Sequence, residues 1–318
     1  MPIGSPIKTS AQKEVQPQMS SNEVKDNNGR GKSKPLSFIP QSPKYTMDDI
    51  ILPAKTIESI KNALAIKDKS DLVFDTWGLS KTHKHSKKVG INLYGPPGTG
   101  KTMVAHAISH YLHKKLIVIN YADIESKYVG DTPKNLTEAF QTANETNSIL
   151  FFDEADAILS RRVTNMNNAT DTSVNQTRSV MLTLMNDYQG VIIFATNYIS
   201  NYDPAFMRRI LAHIDFELPD YECRVRLYEK LIPIELPTNV KILQLAEKFE
   251  GISGSDISNA ILLAAYKGAQ TNEFVEHKYF EEALEGIKKS QKANSGVDPV
   301  KIETRSVTEE YVRQNINI

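Results

Sequence analysis

Short apolar runs alternate with amphipathic segments from about residue 90 to residue 196. The apolar runs predict strands at 90–94, 116–120, 149–153 and 191–196. The amphipathic segments predict helices at 102–112, 133–144 and 174–185. Alternation of this kind is typical of an α/β fold, in which a parallel sheet is covered by helices on both faces.

The pattern changes after Pro219, where helix-like segments follow one another without apolar strands between them. These segments lie at 224–231, 240–249, 255–269 and 277–288. They predict a small all-helical domain behind the α/β domain. We therefore expect a disordered polar tail at 1–44, a large α/β domain at 45–219, a small helical domain at 220–292 and a C-terminal tail at 293–318.

Composition narrows the classes of function. The chain has 318 residues with 38 basic and 38 acidic side chains, so no strong overall field favours nucleic acid, and no nucleic-acid partner is expected. No apolar run approaches the roughly 18 residues of a membrane helix, and the N-terminus lacks the apolar core of a secretory signal. The single cysteine, Cys223, cannot form an internal disulfide. A cytoplasmic protein without a membrane span is the expectation.

A phosphate-binding pattern lies between the first predicted strand and the helix after it. The residues from Gly95 to Thr102 fit G-x-x-x-x-G-K-[ST], in which backbone N–H groups surround phosphate oxygens. Lys101 would reach the β- and γ-phosphates of ATP, and the Thr102 hydroxyl would bind Mg²⁺. The expected nucleotide-binding residues here are Gly95, Pro96, Pro97, Gly98, Thr99, Gly100, Lys101, Thr102 and Met103.

Two further strands end in polar side chains that suit the same chemistry. Asp153 and Glu154 lie at the end of the third strand, where Asp153 would hold Mg²⁺ and Glu154 would polarise the attacking water. An acidic pair that only starts a helix is the plainer interpretation of these two residues. Asn197 follows the fourth strand and could orient the water or contact the γ-phosphate, although a turn-forming asparagine is the alternative.

Taken in order, these motifs resemble those of AAA+ ATPases, and more narrowly those of the AAA proteins that remodel or unfold other proteins. The resemblance covers about residues 45 to 290. It rests on the phosphate loop, Asp153-Glu154, Ala195-Thr196-Asn197, the stretch from Asp203 to Arg209, and Gly254-Ser255-Asp256-Ile257. The adjacent arginines Arg208 and Arg209 are most similar to the severing and sorting subgroup. In this resemblance we expect a short polar tail before the motor in place of that subgroup's usual N-terminal recognition domain.

The resemblance implies further roles. Asn197 matches a sensor of the γ-phosphate, and Arg208 and Arg209 match arginine fingers that act on ATP bound by the neighbouring subunit. Gly254 and Ser255 match a lid segment that contacts the nucleotide. Asp49 and Ile50 match a stretch that meets adenine, although Ile51-Leu52 replaces the glycine pair usual after it.

The segment after the second strand matches the pore loop of protein-translocating members of this family. Its Tyr128 and Val129 would intercalate between the side chains of a polypeptide in the centre of a ring, and Lys127 would face the pore beside them. The plainer interpretation is an exposed turn with one tucked tyrosine.

The combined prediction is an ATP- and Mg²⁺-dependent motor, a homo-oligomer and expected hexamer, that remodels or threads a protein client. That client would bind directly or through an adaptor. One alternative is an AAA+ ATPase that acts on nucleic-acid assemblies as a loader or initiator. Another is a nucleotide-gated assembly scaffold without turnover.

Overall fold

Strands form where the apolar runs are buried. The computed structural model describes residues 38–83, 89–120, 124, 131–160, 169–197, 202–271 and 273–294. Its sheet consists of β1 (Val89–Tyr94), β2 (Leu116–Asn120), β3 (Ile149–Asp153), β4 (Val191–Thr196) and β5 (Ala212–Asp215). Their spatial order is β2-β3-β4-β1-β5, and every neighbouring pair is parallel. The chain crosses between strands through helices, as parallel pairing requires.

Helices occupy the connections and the C-terminal region. They are α1 (Ala54–Asp68), α2 (Lys101–Tyr111), α3 (Asp131–Glu145), α4 (Asp156–Leu159), α5 (Ala169–Asp187), α6 (Pro204–Met207), α7 (Tyr221–Leu231), α8 (Ile242–Lys248), α9 (Gly254–Thr271) and α10 (His277–Asn294). Single turns of other helix types lie at Met47–Asp49, Leu72–Thr76 and Leu79–Lys81. In the described part of the chain, no helix combines the length and apolar character needed to cross a bilayer.

Both faces of the sheet are buried. Phe152 and Phe194 point to one face, where they join a core with residues of α3 and α5. Phe151 and Ile193, their neighbours in sequence, point to the other face and pack with residues of α1 and α2. Alternate side chains of a strand point to opposite faces, so continuous apolar strands need this cover on both sides. The predicted fold class, a P-loop α/β sheet followed by a helical region, is confirmed.

Residues after 219 build a separate core. Tyr228, Phe249 and Phe280 are buried among the helices α7 to α10. Arg224 of α7 connects this region to the end of the α/β region. Its buried guanidinium donates to Pro219 O at 2.7 Å, before the helical region, and to Ala246 O of α8 at 2.9 Å. The exact domain boundaries at 219 and 292 stay predictions.

The structure contains features that the sequence pattern did not predict. The fifth strand, β5, was not predicted because it has four residues and includes the polar His213 and Asp215. Helix α1 was also not predicted. Residues 38–44 fall in the predicted polar tail, yet Gln41 forms an antiparallel bridge with Leu116, with N–H to O distances of 2.8 and 2.9 Å. Edge pairing of this kind leaves little apolar signal in the sequence.

Candidate functional site

The phosphate-binding pattern forms the turn between β1 and α2. Gly100 precedes α2 with φ of +96°, in the left-handed region that glycine adopts without steric cost. A Cβ atom placed on Gly100 would meet no heavy atom within 4 Å, so space remains open there at the start of the helix. The N-terminus of α2 carries unpaired N–H groups and a partial positive charge, which favours an anion in that space.

Lys101 lies directly in this turn and is nearly buried. Its ammonium has three acceptors: Gly95 O at 2.7 Å, Pro96 O at 2.9 Å and Asn197 Oδ1 at 3.2 Å. Burial lowers the pKa of Lys101, whereas the nearby carboxylates of Asp153 and Asp156 act to raise it. These three acceptors hold the Lys101 ammonium at a position where phosphate oxygens could take their place.

The acidic end of β3 lies beside the first turn of α2. Thr102 Oγ1 donates to Asp153 Oδ2 at 2.9 Å, so a hydroxyl and a carboxylate converge at one point. Hard oxygen ligands of this kind suit Mg²⁺, which needs few protein ligands when phosphate supplies others. The residues present therefore fit Mg²⁺.

Glu154 follows with a strained backbone. Its φ of +51° is unusual for a residue with a side chain, and such conformations cost of order 1–3 kcal/mol. Its backbone N–H donates to Asp153 Oδ1 at 3.0 Å, which helps to fix the Asp153 carboxylate. Strain that persists beside a candidate magnesium site is consistent with a functional position.

Asn197 lies at the end of β4, facing the same site. Its side chain accepts from Lys101, and its N–H donates to Asp156 Oδ2 at 3.2 Å. Asp156 was not identified from the sequence. The available signal was an acidic residue three positions after Asp153, at the start of the short helix α4.

A cavity of about 680 Å³ connects these groups, within the usual range for small-molecule sites. It is lined by residues of three parts of the chain. They are Tyr45 and Asp49 to Pro53 before α1; Pro97 to Met103, Asp153, Glu154 and Asn197 around the loop; and Glu217, Pro219, Leu227, Lys230, Leu231, Gly254, Ser255 and Ser258 near or in the helical region. The predicted residues Asp49, Ile50, Met103, Gly254 and Ser255 all belong to this lining.

A contact across the cavity links its two walls. Lys230 of α7 donates to Asp49 Oδ1 at 3.3 Å and to Asp48 O at 3.0 Å. Asp49 also accepts from the Thr46 backbone N–H and side chain, and these hydrogen bonds, with Lys230, lower its pKa. Lys230 was not identified from the sequence because an exposed lysine near the end of a helix carries no distinguishing pattern.

The two arginines are not brought to this cavity. Among the described residues, neither Arg208 nor Arg209 belongs to its lining. Arg209 is held by its own chain, since its Nε donates to Asn186 Oδ1 at 2.8 Å and its Nη1 to Ala205 O at 2.7 Å. Arg208 is exposed. The predicted pore-loop residues Lys127, Tyr128 and Val129 lie outside the described residues.

Together, the parallel sheet and the glycine turn with its lysine define a P-loop nucleoside triphosphatase fold with a helical region beside the nucleotide cavity. Residues 91–218 match the model of the ATPase family associated with various cellular activities, AAA. Residues 91–218 therefore form an AAA ATPase domain, and the predicted resemblance to AAA+ ATPases is confirmed.

Similarity to curated proteins extends beyond that match. The chain is 33% identical over 235 residues to a 26S proteasome regulatory subunit 8 homolog of Saccharomyces cerevisiae, covering 70% of this chain and 55% of the relative. It is 32% identical over 227 residues to the proteasome-activating nucleotidase of Archaeoglobus fulgidus, covering 69% and 55%. The chain thus spans about half the length of these relatives. Their names do not test the likeness to the severing and sorting subgroup, which stays a prediction.

Proposed function

We propose that this protein hydrolyses ATP and uses the energy to remodel a protein client. The observation that carries the proposal is the convergence of Lys101, Thr102, Asp153 and Asn197 through direct hydrogen bonds at one edge of the sheet. This edge, at the carboxyl ends of parallel strands, is where open α/β sheets bind their ligands. Glu154 lies beside these groups in the same cavity.

Each side chain has a distinct task in the proposed reaction. Lys101 exchanges its carbonyl acceptors for phosphate oxygens and stabilises the charge that develops on them. Thr102 and Asp153 would hold Mg²⁺, which when bound neutralises phosphate charge. Glu154 accepts a proton from the attacking water. Asn197 is held in place by its hydrogen bond to Asp156. In the proposed reaction its side chain contacts the γ-phosphate or the attacking water instead of Lys101.

A ring assembly is proposed because the predicted arginine finger Arg208 does not line the cavity of its own chain. Arg208 is exposed and lies outside the cavity of its own chain, so it is available to a second copy. Head-to-tail contacts of that kind close into a ring when the rotation permits, and we propose a hexamer. The relatives are named as a proteasome regulatory subunit homolog and a proteasome-activating nucleotidase. This supports a protein client, bound directly or through an adaptor, and threading through the ring by Tyr128.

The test of ATP hydrolysis is the Lys101→Met variant. We expect its turnover to fall about 10²–10³-fold, because a preorganised donor to the developing charge is lost. ATP binding should weaken about 10- to 100-fold, as expected for the loss of charged hydrogen bonds. Phosphate release and binding of a fluorescent ATP analogue measure the two effects.

Lys114→Met is the matched control. Lys114 is also partly desolvated, which lowers its pKa, but its ammonium donates to Asn147 at 2.6 Å, and it does not line the cavity. Its loss should leave turnover within about 2-fold of the wild type, since surface substitutions away from a site have small effects. Equal activity of Lys101→Met and wild type would contradict the assignment. A wild type that binds ATP without turnover would favour the scaffold alternative.

Client threading is tested by Tyr128→Ala. We expect this variant to bind and hydrolyse ATP but to lose unfolding of a fluorescent reporter protein that carries an unstructured tail. The reason is that an aromatic face grips a polypeptide with large area and little loss of rotamer entropy. Tyr128→Phe keeps the aromatic face and should unfold the reporter at roughly half the wild-type rate or faster. Unfolding by Tyr128→Ala at the wild-type rate would exclude threading by this residue.

A further inference from the structure

The helical region touches the phosphate loop at one residue of that loop. Gly98 O accepts from the N–H of Ser255 at 3.2 Å. A Cβ atom placed on Gly98 would lie 2.6 Å from Ser253 Oγ, so the loop and the residues before α9 approach as closely as glycine allows. Any displacement of Ser253 or Ser255 therefore changes the support of the loop that would surround the phosphates.

Ser253 is in turn held by Asp256. Both the N–H and the hydroxyl of Ser253 donate to Asp256 Oδ2, at 2.8 and 2.7 Å, and the N–H of Asp256 donates back to Ser253 Oγ at 3.2 Å. This reciprocal pair resembles a capping box and fixes the chain as it enters α9. Ser253 is buried, so its position leaves little room for adjustment.

The last described helix, α10, also contacts Asp256 Oδ2. Gln291, near the end of α10, donates from Nε2 to Asp256 Oδ2 at 2.9 Å. One carboxylate oxygen thus links α10 to the residues that contact Gly98. A cap needs only Asp256 and Ser253, so the Gln291 contact adds a connection that helix capping by itself does not require.

We infer that Gln291 and Asp256 are positioning residues for nucleotide binding, acting through Ser253 and Gly98. This inference rests on the proposed ATPase function. Loss of the Gln291 amide lets α10 separate from the start of α9, and the contact of Ser255 with Gly98 becomes less populated. The loop then surrounds phosphate less often, which weakens binding. Lys101 and Glu154 keep their places, so the chemical step is preserved.

The experiment compares Gln291→Ala with Gln244→Ala in steady-state ATP hydrolysis. Gln244 is an exposed glutamine of α8, outside the cavity lining. For Gln291→Ala we expect KM for ATP to rise about 3- to 10-fold, the effect of one hydrogen bond to a charged group near the surface, with kcat within about 2-fold of the wild type. Gln244→Ala should match the wild type in both constants.

Two further variants separate positioning from a general loss of structure. Gln291→Lys supplies another donor to Asp256 and should restore KM to within about 2-fold of the wild type. In the double variant Asp256→Asn with Gln291→Ala, KM should be no higher than in Asp256→Asn alone, because residues that act through one contact are not additive.

The outcomes distinguish this inference from the proposed function. If the wild type and Gln244→Ala hydrolyse ATP but Gln291→Ala has an unchanged KM, the ATPase function stands and the positioning role is overturned. Additive effects of Asp256→Asn and Gln291→Ala would also overturn it, since Gln291 would then act by another route. Absence of turnover in the wild type would overturn both proposals.

Discussion

We expect the Glu154→Gln variant to bind ATP as the wild type does and to hydrolyse it about 10²–10⁴-fold more slowly, the usual contribution of a general base. Glutamine has nearly the same shape as glutamate but cannot accept a proton from water. The proposed magnesium ligands Thr102 and Asp153 would be unaffected, since their mutual contact does not involve the Glu154 side chain. Single-turnover phosphate release measures the chemical step, and equilibrium binding of a fluorescent nucleotide measures affinity.

The backbone at Glu154 makes this prediction specific. A residue other than glycine with φ of +51° keeps this backbone conformation only if its surroundings enforce it. Glutamine would meet the same backbone cost, so folding stability should change by less than about 0.5 kcal/mol. Glu250→Gln, at an exposed position of the helical region, is the matched control and should hydrolyse ATP at the wild-type rate. Turnover by Glu154→Gln within a few-fold of wild type would transfer the role to another carboxylate, with Asp156 the nearest candidate along the chain.

The α/β fold could be predicted because burial and sequence pattern coincide there. The strands β2 to β4 are apolar except at their carboxyl ends, so each produces an apolar run, and in β1 the run is interrupted by the buried Asn92. The short strand β5 was not predicted because it is an edge strand of the sheet and alternates apolar with polar residues. Its place beside β1 follows from tertiary pairing, which a local pattern does not encode.

The site was predictable to the extent that its residues follow strands. Lys101 follows β1 after the glycine loop, Asp153 is the last residue of β3, and Asn197 follows β4 directly. The parallel sheet brings such positions to one edge. The contacts made with the helical region were not predictable in this way. Lys230 reaches Asp49 across 181 positions, and Gln291 reaches Asp256 across 35. Such contacts depend on how the helices pack against the sheet and one another.

Arg208→Ala should reduce ATP hydrolysis by about 10³–10⁵-fold, the range known for arginine fingers in related phosphoryl transfers, while the affinity for ATP stays nearly the same. Arg208 is exposed and outside the cavity, so its removal leaves the binding site of its own chain intact. Arg226→Ala, at an exposed position of α7, is the control and should retain wild-type turnover.

Arg209→Ala should behave differently from Arg208→Ala. The guanidinium of Arg209 joins Asn186 of α5 to Ala205 of α6, so its loss removes hydrogen bonds within the chain. We expect a lower Tm in thermal unfolding, corresponding to roughly 1–3 kcal/mol for a charged group and its former partners. Arg208→Ala should melt at the wild-type temperature, which separates a role in stability from a role in the neighbouring site.

Mixing two inactive variants decides whether Arg208 acts between subunits. Lys101→Met lacks the loop lysine but keeps Arg208, and Arg208→Ala has the opposite defect. In a mixed ring, some sites combine an intact Lys101 with an intact Arg208 from the adjacent copy, so hydrolysis should reappear although neither variant is active alone. If Arg208 served its own chain, every site in the mixture would lack one group and activity would stay absent. Recovery that rises with total protein concentration would tie hydrolysis to assembly, because the complete site exists only where two copies meet.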